Sequence, residues 1–479
     1  MTGESGGAGA NRANVPGLSE TLASMRATHA QDPVPDWHTR ATRLRSLEAL
    51  MRDNRDAIVA AIDADFGRRP AEETDLLEIF PSVSGIRHAL KHGRRWMRAN
   101  RHWANLWFLP ARTELVPQPL GVVGIIAPWN YPLYLAIGPL TDALVAGNRA
   151  MVKMSEYTPR FSALFADLAA RYFRDDEVAV VNGDANVGRE FAALPFDHLL
   201  FTGSTAVGRD VMASAAANLT PVTLELGGKS PALIGPGARF DHAVERIIVG
   251  KLMNAGQTCI APDYVLLPRS EIQTFIDEAR RVVAKLYPEL PRNPQYSSIV
   301  SDRHHARLRA LRDDAVAAGA RVHVLGSADE DASSRVLAPA MLTDVDEHME
   351  IMRQEIFGPL LPLVPYDSMD DALRYIATHP HPLALYVFEE RRSAIDEILR
   401  RTQAGGVTVN DTILHIAQHS LPFGGAGASG MGVYHGEAGF RTFSRMKPVM
   451  HQARFNAVAL LNPPYAQTFR RLLKVMLRR

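Results

Sequence analysis

The sequence predicts a two-lobed α/β protein built on parallel sheets. Three observations predict it. Short apolar strands alternate with amphipathic helices after Pro110, the alternation restarts beyond Gly227-Gly228, and glycine-bearing turns sit where strands hand over to helices. The chain of 479 residues, 46% hydrophobic and 22% charged, is long enough for two large domains or three ordinary ones.

Helical periodicity comes first, over Trp37 to Phe66, with Leu44, Leu47, Met51, Ile58 and Ile62 on one face, and then over Asp75 to Arg98. Thr113 to Val116 and Val122 to Ile126 read as strands, the second stopped by Pro128. Met151 to Lys153, Glu177 to Asn182 and His198 to Phe201 follow as strands, with helices at Pro159 to Tyr172 and Gly208 to Ala217. In the second block, Val244, Ile247, Ile248 and Leu252 form the stripe of a helix ending at Gly256. Strands at Tyr264 to Leu267, Val322 to Leu325, Leu360 to Val364, Leu383 to Phe388 and Val407 to Val409 alternate with four more helical stretches, at Glu271 to Leu286, Arg307 to Ala318, Met369 to Ala377 and Arg391 to Thr402.

Composition excludes several classes. A single cysteine, Cys259, leaves no internal disulfide, cysteine-rich zinc site or iron–sulfur cluster, and no metal is expected. It also suits a reducing, cytoplasmic setting. The net charge of +1 offers no field to collect nucleic acid. No apolar run is long enough to span a bilayer, and residues 1–17, rich in Gly, Ala and Ser, read as a disordered lead-in. The segment Phe469 to Arg479 mixes leucines with basic residues, which fits a terminal helix or a surface membrane contact.

Chemistry concentrates in three places. Phe201-Thr202-Gly203-Ser204 closes a strand, with Gly208 four positions on, giving a turn and helix N-terminus able to hold a phosphate. Gly228-Lys229-Ser230 resembles the end of a P-loop, but Thr223 stands where that loop needs glycine, so an NTPase is rejected. Cys259 lies past a helix end in a Gly-bearing loop, not on an apolar stripe, which suits a nucleophile as well as a small buried thiol. Glu225, set between Leu224 and Leu226, is either a general base with a raised pKa or a carboxylate paired with a buried cation. Asn130, in the rigid Pro128-Trp129-Asn130-Tyr131-Pro132 elbow, can serve as an oxyanion donor or a cap.

Together these residues resemble the aldehyde dehydrogenase superfamily from about Trp37 to Pro464. The motifs fall in the family's order: Pro128-Trp129-Asn130, Lys153 with Ser155-Glu156, Phe201 to Ser204, Leu224 to Ser230, Gly256 to Cys259, Gln354 to Pro359, and Pro422 to Gly425. Pro382 to Phe388 and Val409 to Thr412 are similar to the class 3 branch, and His415 to Gln418 with Gly430 to Gly436 to its bacterial coniferyl aldehyde dehydrogenases. In that subfamily acidic residues are expected where His419 and Ser420 stand.

The resemblance implies two Rossmann-like α/β domains and a small β oligomerisation element. The implied boundaries are 18–102 with 117–226 for the NAD(P)-binding domain and 227–415 for the catalytic domain. Segments 103–116 and 416–479 would join subunits into a homodimer. It further implies that Cys259 attacks an aldehyde, that Asn130 holds the oxyanion, and that Glu225 activates the hydrolytic water. Lys153 and Glu156 are implied at the adenosine ribose, Gly203, Ser204 and Gly208 at the pyrophosphate turn, and Trp129, Glu355 and Phe357 near the nicotinamide. Glu156 argues for NAD over NADP, with some use of NADP, because a carboxylate repels a 2′-phosphate. A cysteine-dependent esterase or thioesterase is the rival reading, since the same three groups suffice for acyl transfer.

Overall fold

The structure, a computed structural model, describes residues 17–290, 292–326, 334–456 and 458–477. The expected disordered lead-in therefore lies, up to residue 16, outside the described residues. Two α/β sheets and one small antiparallel sheet organise the chain.

The first large sheet has six strands, in the order Gly430–Met431, Val222–Leu226, His198–Gly203, Val122–Ile126, Arg149–Lys153 and Val178–Val181. All are parallel except Gly430–Met431, which pairs antiparallel with Val222–Leu226. Chain order runs outward from Val122–Ile126 in both directions. The crossovers therefore diverge at that strand and open a crevice at its carboxyl end, where doubly wound sheets bind ligands.

The second sheet has seven strands: Arg321–Val324, Ala340–Thr343, Leu360–Tyr366, Tyr264–Pro268, Pro231–Ile234, Ala384–Phe388 and Gly406–Val409. Only Arg321–Val324 is antiparallel to its neighbour. One large apolar cluster runs through both lobes, from Leu44 and Ile86 to Leu363 and Phe388, so they share a core.

The third sheet pairs Asn100–His102, Arg112–Pro119 and Ser444–His451. Beside it Trp103 is 99% exposed, and Leu106, Phe108 and Leu109 also face outward, far more apolar surface than scattered exposure explains. The terminal helix Gln467–Met476 buries no residue. No helix among the described residues is long and apolar enough to cross a membrane.

Two helical expectations are corrected. Trp37 to Phe66 is two helices, Trp37–Asp53 and Arg55–Phe66, because Asn54 leaves helical geometry and its amide donates to the Leu50 carbonyl at 2.9 Å. The segment from Asp75 opens with a π-turn over Asp75–Ile79 before the helix Phe80–Trp96.

Asn148 ties the first lobe to the small sheet. Its Oδ1 accepts from Leu120 and Gly121 at 2.7 and 3.0 Å, while Nδ2 donates to Ala143 and Phe443 at 3.2 and 2.8 Å, with no solvent exposure. Asn148→Ala takes this partner from the Leu120 and Gly121 N–H groups and the Phe443 carbonyl, while the Ala143 carbonyl keeps the backbone N–H of residue 148 at 2.9 Å. We expect a loss of about 2–4 kcal/mol, read as a lower denaturation midpoint; an unchanged midpoint would contradict this account.

Candidate active site

Between the lobes lies a cleft of about 540 Å³. It sits at the carboxyl ends of the first sheet's strands, where Val122–Ile126 leads to Asn130 and His198–Gly203 to Ser204. It meets the second sheet at the amino ends of its strands, since Cys259 precedes Tyr264–Pro268 and Glu355 precedes Leu360–Tyr366. Helix dipoles and backbone donors thus come from one lobe, and the thiol from loops of the other.

The thiol is delivered by a left-handed turn. Asn254, Ala255 and Gly256 have φ of 51°, 51° and 75°, conformations that cost energy in non-glycine residues. At Gly256 a Cβ would come within 2.4 Å of the Gly358 carbonyl, so glycine is required there. The strained residues are held by buried polar bonds. Gln257 donates to Asn254 and Ser298 carbonyls at 2.9 and 3.0 Å and accepts from Val300 at 2.9 Å. Beside Cys259, Thr258 Oγ1 meets Tyr131 Oη at 2.5 Å. The backbone N–H groups of Cys259 and Ile260 face the sulfur, while burial and the Glu355 and Glu225 carboxyls push the thiol well above its ordinary pKa.

Asn130 is 3% exposed and crosses the cleft wall. Its amide donates to the Gln257 carbonyl at 3.1 Å, leaving a second N–H for a ligand. Its own carbonyl accepts from Asn254 Nδ2 and Arg69 Nη1, each at 3.0 Å. Arg69 is fully buried, pairs with Glu78 at 2.9 Å, and lies over the rings of Phe66 and Tyr131. Glu78 in turn accepts from the Leu133 and Tyr134 N–H groups at 2.7 and 3.2 Å. The elbow is thus fixed from behind by an ion pair that the sequence reading missed. No local pattern distinguishes Arg69 and Glu78 from the surface charges around them.

Glu225 stands on the strand Val222–Leu226, 3% exposed, with neither carboxyl oxygen hydrogen-bonded. Of the two readings open from sequence, the paired carboxylate is therefore excluded. Burial drives its pKa well above the ordinary value near 4.5. Glu355 is half-buried, and its carboxyl is pushed up to about 8, by desolvation first and then Asp263. Its loop is pinned by Lys229, which pairs with Asp263 and donates to the Ile351 and Gln354 carbonyls at 2.8 and 3.1 Å. This explains Lys229, which mimicked a P-loop lysine: it holds a loop, not a phosphate.

The remaining cleft residues fit a dinucleotide. Ser204 caps the helix Thr205–Ala216, whose first turn faces the cleft with backbone donors suited to phosphate. Glu355 Oε1 is buried without a partner, an acceptor available to a ribose hydroxyl. Trp129 meets Phe357 and His304 edge-on, with centroids 5.3 and 4.8 Å away.

The cleft thus gathers Asn130, Trp129, Gly203, Ser204, Glu225, Cys259, Glu355 and Phe357, together with His304, Arg307, Phe423 and Tyr434, which sequence reasoning did not single out. Lys153, Glu156 and Gly208 are not in its lining. Lys153 is buried at a strand end, 3.8 Å from the half-exposed Glu156, with Nζ donating to the Met154 carbonyl at 2.7 Å. At Gly208 a Cβ would come within 2.6 Å of Leu226, so this glycine lets helix and strand pack closely.

A sequence profile of the aldehyde dehydrogenase family matches residues 10–449, and the chain belongs to that family. It is 49% identical over 456 residues to a probable coniferyl aldehyde dehydrogenase of Pseudomonas aeruginosa, covering 95% of each chain. To a coniferyl aldehyde dehydrogenase of a Pseudomonas species it is 45% identical, covering 96% of each. The solved substrate-bound aldehyde dehydrogenase AldH of Staphylococcus aureus superposes with a TM-score of 0.91 at 33% identity, over 96% of this chain and all of that one. The protein is an NAD(P)-dependent aldehyde dehydrogenase.

Two predictions follow from the geometry. Arg69→Met leaves Glu78 as an unpaired buried charge and should cost about 3–5 kcal/mol. Arg69→Met with Glu78→Gln should recover most of that stability, yet keep kcat low because the Asn130 carbonyl has lost a donor; denaturation and steady-state rates measure both. Glu225 has a raised folded pKa, so the unfolded chain ionises first and this group erodes stability as pH climbs above about 4.5. Glu225→Gln should therefore melt above the parent at pH 8, with the difference closing near pH 4. A lower melting point at pH 8 would refute the unpaired buried carboxyl.

Proposed function

We propose that Cys259 is the nucleophile, with Asn130 and the Cys259 backbone N–H as oxyanion donors and Glu225 as general base. The observation that carries this reading is the convergence of thiol, amide and unpartnered buried carboxyl on one cleft. Loss of the Sγ proton, to ionised Glu225, lets sulfur bond to the aldehyde carbon, and the carbonyl oxygen becomes an alkoxide held by the two N–H donors. Bound NAD(P) supplies the acceptor for the hydride that then leaves that carbon. Glu225 passes the Sγ proton on to solvent and, ionised again, takes another from water, whose oxygen attacks the Cys259 thioester. The carbon–sulfur bond breaks and the carboxylic acid departs.

Further roles are assigned by the same reading. Gly203 and Ser204 approach the pyrophosphate, with Gly208 letting their helix pack close. Lys153 and Glu156 take the adenosine ribose, and Trp129, Glu355 and Phe357 surround the nicotinamide end. The half-exposed Glu156 favours NAD over NADP by repelling a 2′-phosphate, and Lys153 permits some NADP use. The substrate is an aromatic, cinnamyl-type aldehyde such as coniferyl aldehyde, supported by the two named relatives and by Tyr131, Tyr134 and Leu135 clustered near the thiol. The assembly is a cytoplasmic homodimer joined through the small sheet and its exposed aromatic residues.

Two experiments test this. Alkylation at one equivalent can modify only Cys259 and should abolish dehydrogenase activity; full activity after complete modification removes it from the mechanism. A panel of cinnamyl-type, benzoic-type and medium-chain aliphatic aldehydes should give the highest kcat/KM for the first class, and a higher value with NAD than with NADP. Preference for aliphatic aldehydes, or for NADP, would overturn the respective assignment.

A further inference from the structure

Behind Tyr134, away from the cofactor side, lies a second polar feature that the mechanism above does not use. A pocket of about 20 Å³, room for about one water molecule, is lined by Ser82, Tyr134, Asp142, His419 and His435. Ser82, Asp142 and His435 are each at least 95% buried. Ser82 Oγ, His419 Nε2 and His435 Nδ1 are all buried without a protein partner, a costly arrangement unless a small polar ligand joins them. Asp142 accepts the His435 backbone N–H at 2.9 Å, which sets that ring against the pocket.

Polar groups flank the pocket on both sides. On its inner side, His435 Nε2 is 3.3 Å from Tyr134 Oη. Tyr134 clusters with Tyr131, whose hydroxyl meets Thr258 beside Cys259. On the outer side, the His419 ring lies 5.9 Å from His435 and 6.1 Å from His88, and His88 lies 4.5 Å from His92. Both His88 and His92 are partly open to solvent.

We propose that this pocket holds an ordered water that links His435 to His419, and that Tyr134, His435, the water, His419 and His88 pass a proton from the cleft to solvent. The reaction supplies the proton: aldehyde, oxidised dinucleotide and water give carboxylic acid, reduced dinucleotide and one proton. As a proton arrives at Tyr134 Oη, the phenol's own proton moves to His435 Nε2, and His435 gives up its Nδ1 proton to the water. The water gives one of its protons to His419, which hands it outward to His88. No charge is left behind, and ring and hydroxyl reorientation resets the chain.

The surroundings suit transit and not storage. Burial holds His419 below its ordinary pKa and His435 down at about 3, so both rings rest neutral, with one nitrogen donating and one accepting. Asp142, pushed up to about 8 by burial, faces the water as a neutral group near pH 7. Lys91 and Arg95 lie beside His88 and His92 and disfavour trapping of the proton at the exit. His415, the other histidine near His435, is also held neutral, at about 4.

The proton's origin rests on the Cys259 reaction proposed above, whose failure would show separately as activity surviving alkylation. The relay is tested on the full-length enzyme with NAD and cinnamaldehyde. His419→Ala should lower kcat about tenfold with both KM values within about twofold, and added imidazole should restore the rate. Ser82→Ala, which removes one hydroxyl and leaves the fold intact, should lower kcat in the same direction and change the solvent deuterium isotope effect. A crystal structure should place a water within hydrogen-bond distance of His435 Nδ1. Unchanged kcat in both variants, a rate loss in His419→Ala that imidazole does not rescue, or a pocket without water would each overturn the proposal.

Discussion

The carbonyl and amide of Asn130 join the two halves of this enzyme at the place where chemistry occurs. Its carbonyl takes one donor from the helical layer, Arg69, and one from the thiol loop, Asn254, while its amide reaches Gln257. Because the same residue offers its remaining N–H to the cleft, the distance from that N–H to the sulfur is set by buried bonds and not by loop packing. Hydrogen bonds inside a water-free core are stiff, and leaving one unmade is expensive. That stiffness also holds three consecutive left-handed residues, Asn254 to Gly256, in a conformation the chain would otherwise leave.

The cleft stores a second kind of cost. Glu225 and Glu355 stand next to a thiol, and both carboxyls raise the energy of charging it. A carboxyl group with no partner in an apolar wall is a poor choice for stability and a good one for a base that works near neutral pH. The protein accommodates it by spending its cations elsewhere: Lys229 goes to Asp263 and to the Ile351 and Gln354 carbonyls, and Arg69 to Glu78.

Much of this was legible in the sequence, for reasons that particular residues make plain. Val122–Ile126 was readable to its ends because Gly121 and Pro128 flank it, and Pro159–Tyr172 because proline opens it and its apolar pattern contrasts with the charged residues that follow. Cys259, Glu225 and Asn130 stood out through the motifs they share with the family, since each alone left a plain structural role open, and the fold brings all three to one cleft. The helix Tyr134–Ala146 escaped notice: it is buried on every side, so its sequence is apolar but for Thr141 and Asp142 and carries no period. Arg69, Glu78 and Asp263 were equally silent, since what distinguishes a buried ion from a surface one is the chain that folds over it. The histidines around Asp142 come from segments near residues 88, 419 and 435 and form no motif in one dimension.

The edge strand Gly430–Met431 has a consequence for how the enzyme is made. It pairs with Val222–Leu226 and sets Gly430 opposite Glu225, while Ser444–His451 closes the small sheet against Arg112–Pro119. During synthesis the cofactor lobe therefore emerges long before the segment that covers its outer edge. Until Gly430–Met431 leaves the ribosome, the strand that carries Glu225 presents unpaired backbone groups to whatever is nearby. Arrival of this strand and closure of the sheet beside the cleft are in this sense a single event, and a nascent chain cut short ahead of Gly430 holds Glu225 on an open sheet edge.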